Sequence, residues 1–247
     1  MAYLIWNFPK FILTFGWANN AITSTYVPAG ALEYLSALIV AVSLVMGVRT
    51  VRTTSIEQDS ETRWDDISLF MGRVAMMLVM LLVSVMFYEV VLRYVFEKPT
   101  LWANELSLWI AGFIFLLAGL YAMQQRSHIR IYLLYDIMPR WAQKLSDTVS
   151  VALIWAFTVS MIWGGYNEAR AKFLRWETFG TAFDPPIPAT MKPTVLLIIL
   201  LVSIQALVNL IEDWNKAPEH HLPVDEAEIE ELKHEIADRA KDPAKGA

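Results

Sequence analysis

Ionisable residues inside apolar stretches are the first candidates for chemistry in this chain. Glu105 lies near the start of the apolar run 101–123, and Arg73 and Glu33 lie one or two turns into two other runs. An ionisable group within a membrane span often marks an ion or substrate pathway. Each of these three is near an end of its run, within reach of headgroup water. The helix dipole also favours Glu105 at the start of its helix, and Arg73 can extend back toward the headgroups or pair within the bundle. We therefore expect them to make orienting contacts, with Glu105 paired to Arg93.

The histidines do not form a pattern that would hold a metal or a haem. His128 lies among polar and cationic residues that include Arg130, and the other three lie in the acidic tail. A b-type haem would require histidines inside spans. The chain has no cysteine, which excludes thiolate ligands and thiol catalysis. We expect His128 to be an interfacial residue, and we expect no cofactor, no metal site and no enzymatic activity.

The same region holds an ion pair and a pair of aromatic residues at helical spacing. Glu89 and Arg93 are four residues apart in the favourable acid-before-base order. Trp102 and Trp109 flank Glu105, and tryptophan is enriched where helices meet the membrane surface. We expect the tryptophans to anchor and pack the helix rather than to form a ligand box.

The composition indicates an integral membrane protein. Of 247 residues, 56% are hydrophobic and 18% are charged, whereas about a quarter of the residues in soluble proteins are charged. The formal net charge is −5, and this argues against a nucleic-acid partner because such partners favour basic clusters.

Several apolar runs reach the roughly 20 residues that a helix needs to cross a bilayer. These runs are residues 29–48, 67–92, 101–123, 148–166 and 194–211. Residues 3–17 are short and 129–145 mix apolar with charged groups, so we expect both to be helices on the membrane surface. A tilted span is an alternative for residues 3–17. A cleaved signal peptide is the other alternative, but the stretch lacks the cationic start and the small-residue cleavage site of such peptides.

The predicted fold is an all-α membrane protein with four core transmembrane helices, an additional N-terminal span and interfacial amphipathic helices. An inverted repeat with broken helices, typical of self-sufficient transporters, is not visible. We divide the chain into an interfacial segment 1–28, an additional span 29–48, a polar linker 49–65, a four-span core 66–213 and an acidic tail 214–247.

One span, 148–166, carries a small residue at every fourth position. Small side chains on one face let two helix backbones approach closely, and the span 101–123 has shorter pairs of the same kind. We therefore expect these two helices to pack closely, either against each other or against helices of a partner. The residues of this small-residue ladder are Ala152, Ala156, Ser160 and Gly164.

The distribution of cations predicts the orientation of the spans. Lysine and arginine favour the cytoplasmic side, and the linker 49–65 and the segment 124–146 together carry a small excess of them. This places the acidic tail in the cytoplasm and the proline-rich loop 167–192 outside. Three prolines at 185, 186 and 188 make that loop stiff and extended, and we expect it to be an ordered contact surface.

A series of residues between 66 and 213 resembles a known family. The small membrane subunit (DctQ type, or Q subunit) of tripartite ATP-independent periplasmic (TRAP) transporters shows a similar order and spacing. The stretch Phe-Asp-Pro-Pro-Ile-Pro is similar to the longer, mannitol/chloroaromatic-type variants, whereas Glu97 and Tyr132 depart from the pattern. The matching positions are Arg93-Tyr94-Val95-Phe96, Pro99, Trp102-Ala103, Glu105-Leu106, Arg126, His128-Ile129-Arg130 and Pro139.

The resemblance implies a function and partners. In such transporters a periplasmic substrate-binding protein captures a solute, usually an organic acid, and a large multi-span subunit carries it inward with a sodium gradient. The small subunit would be a non-catalytic scaffold in the bacterial inner membrane, in contact with lipids. Arg93, Trp102 and Glu105 would order the helix entrance, and loops 93–103 and 167–192 would face the binding protein.

Two other functions remain open from the sequence. The chain could be a self-sufficient small carrier or channel, with Glu105, Arg73 or Glu33 in its pathway. It could also be the membrane anchor of an enzyme complex, a reading that the missing haem ligands weaken.

Overall fold

A computed structural model describes residues 2–16, 26–54, 57, 62–126 and 138–214. Every regular element within these ranges is a helix, which confirms the predicted all-α class. All helices except α1 are long and apolar enough to cross a membrane, whereas the 13 residues of α1 extend only about 20 Å. The helices are α1 (Ala2–Thr14), α2 (Ala31–Thr50), α3 (Arg63–Tyr94), α4 (Ala103–Gln124), α5 (Arg140–Arg175) and α6 (Ile187–Asp213).

Two boundaries expected from the sequence are wrong. Helix α5 continues to Arg175 and α6 begins at Ile187, so the connection is 176–186 rather than 167–192. Alanine, lysine, arginine and leucine in 169–175 are good helix formers, and proline is well suited to the first turn of a helix, where α6 has one.

Part of the surface segment expected at 129–145 belongs instead to helix α5. Pro139 is the N-cap of α5 and not a break within a surface helix, so residues 140–145 form the first turns of this long helix. The remainder of that segment up to residue 137 lies outside the described residues, as does the tail from residue 215.

The packing order of the core helices is α3, α4, α6 and α5. Extensive contacts join α3 to α4, α4 to α6 and α5 to α6. A central cluster of Ala75, Leu117 and Ile198 brings α3, α4 and α6 together. Of the two arrangements expected for α4 and α5, packing against each other is wrong, because α6 lies between them and covers the inward face of α5. Packing against a partner's helices stays a prediction.

The two N-terminal helices lie at the edge of this core. Helix α2 contacts α3 where Gly47 meets the ring of Phe70. Helix α1 packs on the α5–α6 end of the bundle, where its Ile12 joins a buried cluster with Trp176 and Ala189. One face of α1 is therefore buried in protein, while other aromatic residues of this helix remain exposed.

Candidate functional site

The ionisable residues singled out from the sequence are distributed among several contacts at helix ends. At the end of α3, Arg93 Nη2 lies 2.6 Å from Glu89 Oε1. The other carboxylate oxygen of Glu89 accepts a hydrogen bond from the backbone N–H of Thr100 at 3.0 Å. The Glu89 carboxylate is buried, so it ties the last turn of α3 to the approach of α4.

The expected pairing of Glu105 with Arg93 is wrong. Glu105 Oε2 accepts a hydrogen bond of 2.6 Å from the Thr181 hydroxyl, in the connection between α5 and α6. Arg93 is instead held by Glu89, which lies one turn earlier on the same helix and requires no loop to approach it. Glu105 therefore links the start of α4 to the 176–186 connection.

Trp102 and Trp109 contact different neighbours and do not form a common box. The ring of Trp102 lies 6.0 Å from the ring of Tyr88 on α3. The indole N–H of Trp109 donates to the hydroxyl of Thr190 on α6 at 2.9 Å. The first turns of α4 are thus positioned by both of its neighbouring helices.

Arg73 is paired with a residue that the sequence did not single out. Its Nη2 lies 2.5 Å from Glu57 Oε2, and the Tyr121 hydroxyl donates to Glu57 Oε1 at 2.9 Å. Glu57 lies in the polar linker, where no periodicity distinguishes one acid from another. Its side chain is only 6% exposed, so this carboxylate joins the linker to α3 and α4.

The surroundings of Glu57 lower the pKa of its carboxyl group. Burial by itself would raise this pKa, but hydrogen bonds from Thr54 and Tyr121 and the charge of Arg73 more than offset that effect. Glu57 is therefore held as a carboxylate and can accept all of these donors at once.

Glu33 connects the two N-terminal helices. Its Oε1 lies 2.6 Å from Lys10 Nζ and accepts a hydrogen bond of 3.2 Å from the Tyr3 hydroxyl. The hydrogen bond with Glu33 also raises the pKa of the Lys10 ammonium. Glu33 thus fixes α1 on α2, at the opposite end of α2 from its contact with α3.

A buried polar network joins three helices at the end of the bundle where α6 ends. Gln205 Nε2 donates to Asp65 Oδ1 at 2.7 Å, and Gln205 Oε1 accepts from the Ser68 hydroxyl at 2.8 Å. Asn209 accepts from the same Gln205 amide and donates to the backbone carbonyl of Met123 at 2.8 Å. The network therefore ties α3, α4 and α6. The sequence signal that could have revealed it is the pair of amide side chains, Gln205 and Asn209, four residues apart in an apolar run.

These contacts position helices and do not assemble a common site. Among the described residues, no three His, Asp or Glu side chains converge on a point that could hold a metal ion. Each ionisable group discussed above is engaged by a neighbour on another element or on its own helix. His128 and Arg130 lie outside the described residues.

The small-residue ladder of α5 faces away from the other described parts of the chain. All four of its residues are exposed, and a side chain at Gly164 would meet nothing within 4 Å. The inward face of α5 instead presents Thr158, which bonds the hydroxyl of Ser203 on α6. The ladder is therefore a row of small side chains that the described residues leave uncovered, and it is the candidate functional site.

Comparison with known proteins places this architecture in context. The family described as tripartite ATP-independent periplasmic transporters, DctQ component, matches residues 82–216. The C4-dicarboxylate TRAP transporter small permease protein DctQ of Vibrio cholerae serotype O1 is 28% identical over 101 residues, which are 41% of this chain and 40% of that protein. The chain thus aligns with less than half of that relative. No solved structure matches.

Proposed function

The chain belongs to the DctQ component family of tripartite ATP-independent periplasmic transporters, and from this membership we propose that it is a non-catalytic small permease subunit that scaffolds a larger membrane subunit. The outward small-residue ladder of α5 is the observation that carries the proposal. Helices associate in lipid by close packing, for which small residues are favourable. A ladder that the described residues of its own chain leave uncovered suits a helix of another chain.

The ionisable residues support a bracing role. Glu89, Glu105, Glu57 and Glu33 each bind a residue on a neighbouring segment or turn. A transport pathway requires polar groups that are free to exchange partners with a solute. These carboxylates are instead used to hold helix ends, linker and connection in place.

Family membership supports a proposal for the partners and the coupling. We propose that a large multi-span subunit moves the solute with a sodium gradient and that a periplasmic binding protein delivers it. The Vibrio cholerae relative is named for C4-dicarboxylates, and we propose small organic acids as the substrate class here. The selecting pocket would lie in the other chains.

The proposed location is the bacterial inner membrane, with lipids around the exposed helix faces. The connection 176–186 and the α3–α4 turn would face the periplasm and the binding protein. Residues 49–65 and 214–247 would then be a cytoplasmic linker and tail, residues 1–28 an outer segment, and 29–48 an additional span before the core 66–213.

Purification and transport together test this function. The full-length chain, tagged and expressed with its native partners, should co-purify with a much larger multi-span protein. Vesicles that hold both should accumulate a labelled dicarboxylate in response to a sodium gradient when the binding protein is added. Isolation of the chain as a stable monomer, or solute flux by the chain alone, would overturn the scaffold assignment.

A further inference from the structure

A crevice between α5 and α6 lies close to the α5–α6 connection. Its volume is about 330 Å³. Its walls are apolar or aromatic except for one guanidinium group, that of Arg170. The lining residues are Tyr166, Ala169, Arg170, Phe173, Pro193 and Leu196.

Arg170 differs from the other cations in this part of the bundle. Lys192 pairs with Glu168, and Lys172 pairs with Glu177. Among the residues that the structure describes, Arg170 has neither an ion pair nor a hydrogen bond, and it is exposed. An uncompensated positive charge therefore stands at the wall of an apolar crevice.

Two other apolar spaces adjoin the crevice at this end of the bundle. A second space of about 270 Å³ shares Phe173 and Pro193 with the crevice and is also lined by Phe8 of α1. A third space, between α1 and α2, again includes Phe173. The ring of Phe173 thus separates neighbouring grooves that are each suited to hydrocarbon.

We infer that the α5–α6 crevice binds an anionic phospholipid, with one acyl chain against Phe173, Pro193 and Leu196 and the phosphate at Arg170. Arginine binds phosphate through parallel N–H donors. Two further features fit this occupant: Arg170 lies near the end of a helix that is long and apolar enough to cross a membrane, and Tyr166 is an aromatic group of the kind that lies at membrane interfaces. A soluble anion would gain nothing from the apolar walls.

Lipid retention tests the assignment. The full-length chain, with any partner that it retains, is placed in nanodiscs of phosphatidylcholine with a minor fraction of phosphatidylglycerol and then re-extracted into detergent. Mass spectrometry of the retained lipid should show enrichment of phosphatidylglycerol. In Arg170→Gln that enrichment should fall about fivefold, because one arginine contact to an anionic headgroup is lost, and Arg170→Lys should restore part of it.

Arg175→Gln is the matched control, because it removes the same charge from the same helix. Arg175 is half-exposed, lies 3.9 Å from Glu177 and does not line the crevice, so enrichment should be unchanged. Leu196→Trp should fill the crevice and release the lipid while Arg170 remains. Size-exclusion profiles and circular dichroism show that each variant is folded.

Four results would overturn the inference. Equal enrichment in Arg170→Gln and Arg175→Gln would show that Arg170 does not select the headgroup. Retention of phosphatidylcholine and phosphatidylglycerol in the proportions of the nanodisc would show that the headgroup charge is not recognised. Absence of any retained lipid would show that the crevice does not hold a phospholipid. Loss of the phospholipid on addition of inorganic phosphate alone would assign the site to a free anion.

Discussion

At the scale of single residues, the charged groups of this protein act as ties between segments. A charge near a bilayer is costly unless it is paired or solvated. Glu57 illustrates the outcome: a linker residue reaches Arg73 on α3 and Tyr121 on α4. Gly72 makes room for this arrangement, since a side chain there would clash with the Tyr121 ring.

The lowered pKa of Glu57 predicts a specific acid sensitivity. A carboxylate with a pKa below its ordinary value of 4.5 stabilises the fold fully above that value, and the stabilisation is lost as pH falls through the lowered pKa. Glu57→Gln should therefore lower the thermal unfolding midpoint at neutral pH. The difference in midpoint between this variant and the native chain should become smaller as the pH falls. Thermal unfolding followed by circular dichroism from about pH 7 to about pH 3 measures this difference.

Glu97→Gln provides the control for that measurement. Glu97 is an exposed acid in the α3–α4 turn, and exposed substitutions usually change stability by less than about 0.5 kcal/mol. A difference between the native chain and Glu57→Gln that stays constant across the whole pH range would contradict the role assigned to the Glu57 carboxylate.

At the scale of elements, helix α5 has two faces with different surroundings. Its inward face meets α6 at Thr158 and at Gly165, where Leu196 packs closely. Its outward face carries the ladder, which no described part of the chain covers. The same helix can therefore complete the internal bundle and present a separate surface to a partner.

The outward ladder predicts the effect of enlarging Ser160. Ser160→Leu should separate the docked helices at a cost of about 1–3 kcal/mol, and the larger subunit recovered with the tagged chain should fall about tenfold when that subunit is limiting. Ala156→Leu should act in the same way. The measurement is the ratio of the two subunits after purification in mild detergent.

Ser84→Leu is a closely matched control on α3. Ser84 and Ser160 are both exposed, and each donates a 2.8 Å hydrogen bond to the carbonyl four residues earlier. Ser84→Leu should leave the recovered ratio near the native value. If Ser84→Leu reduced it and Ser160→Leu did not, the docking face would lie on α3.

At the scale of the whole molecule, the described residues include five helices long and apolar enough to cross a membrane. If all five cross, this odd number places the two ends of the spanning region on opposite sides. The family match begins at residue 82, within α3. Helices α1 and α2 thus precede the matched region. The Lys10–Glu33 pair joins these two helices to each other, and aromatic packing, such as the Phe8–Trp176 stack at 5.3 Å, holds α1 against the bundle. The bundle itself is closed at its tail end by the Gln205 network.

The proposed orientation can be read by labelling introduced thiols, because the chain has no cysteine of its own. Ala182→Cys, exposed in the 176–186 connection, should react with a membrane-impermeant maleimide in intact spheroplasts. Ser146→Cys, exposed near the start of α5, should react only after permeabilisation. The reverse pattern would invert the orientation deduced from the cation distribution.

The sequence by itself determined the class, the number of spans and the family likeness. These depend on local properties, since a run of apolar residues must form a helix in lipid wherever its neighbours lie. Even the Glu89–Arg93 pair is local, because its residues are four apart on one helix.

Only the tertiary structure decided which helix lies beside which. It placed α6 between α4 and α5, turned the ladder outward, directed Glu105 to Thr181 and brought Glu57 to Arg73. Lipid tails are as apolar as the helix surfaces, so hydrophobicity does not choose a helix's neighbours. That choice rests on shape and on hydrogen bonds between residues far apart in the chain, which local patterns do not encode.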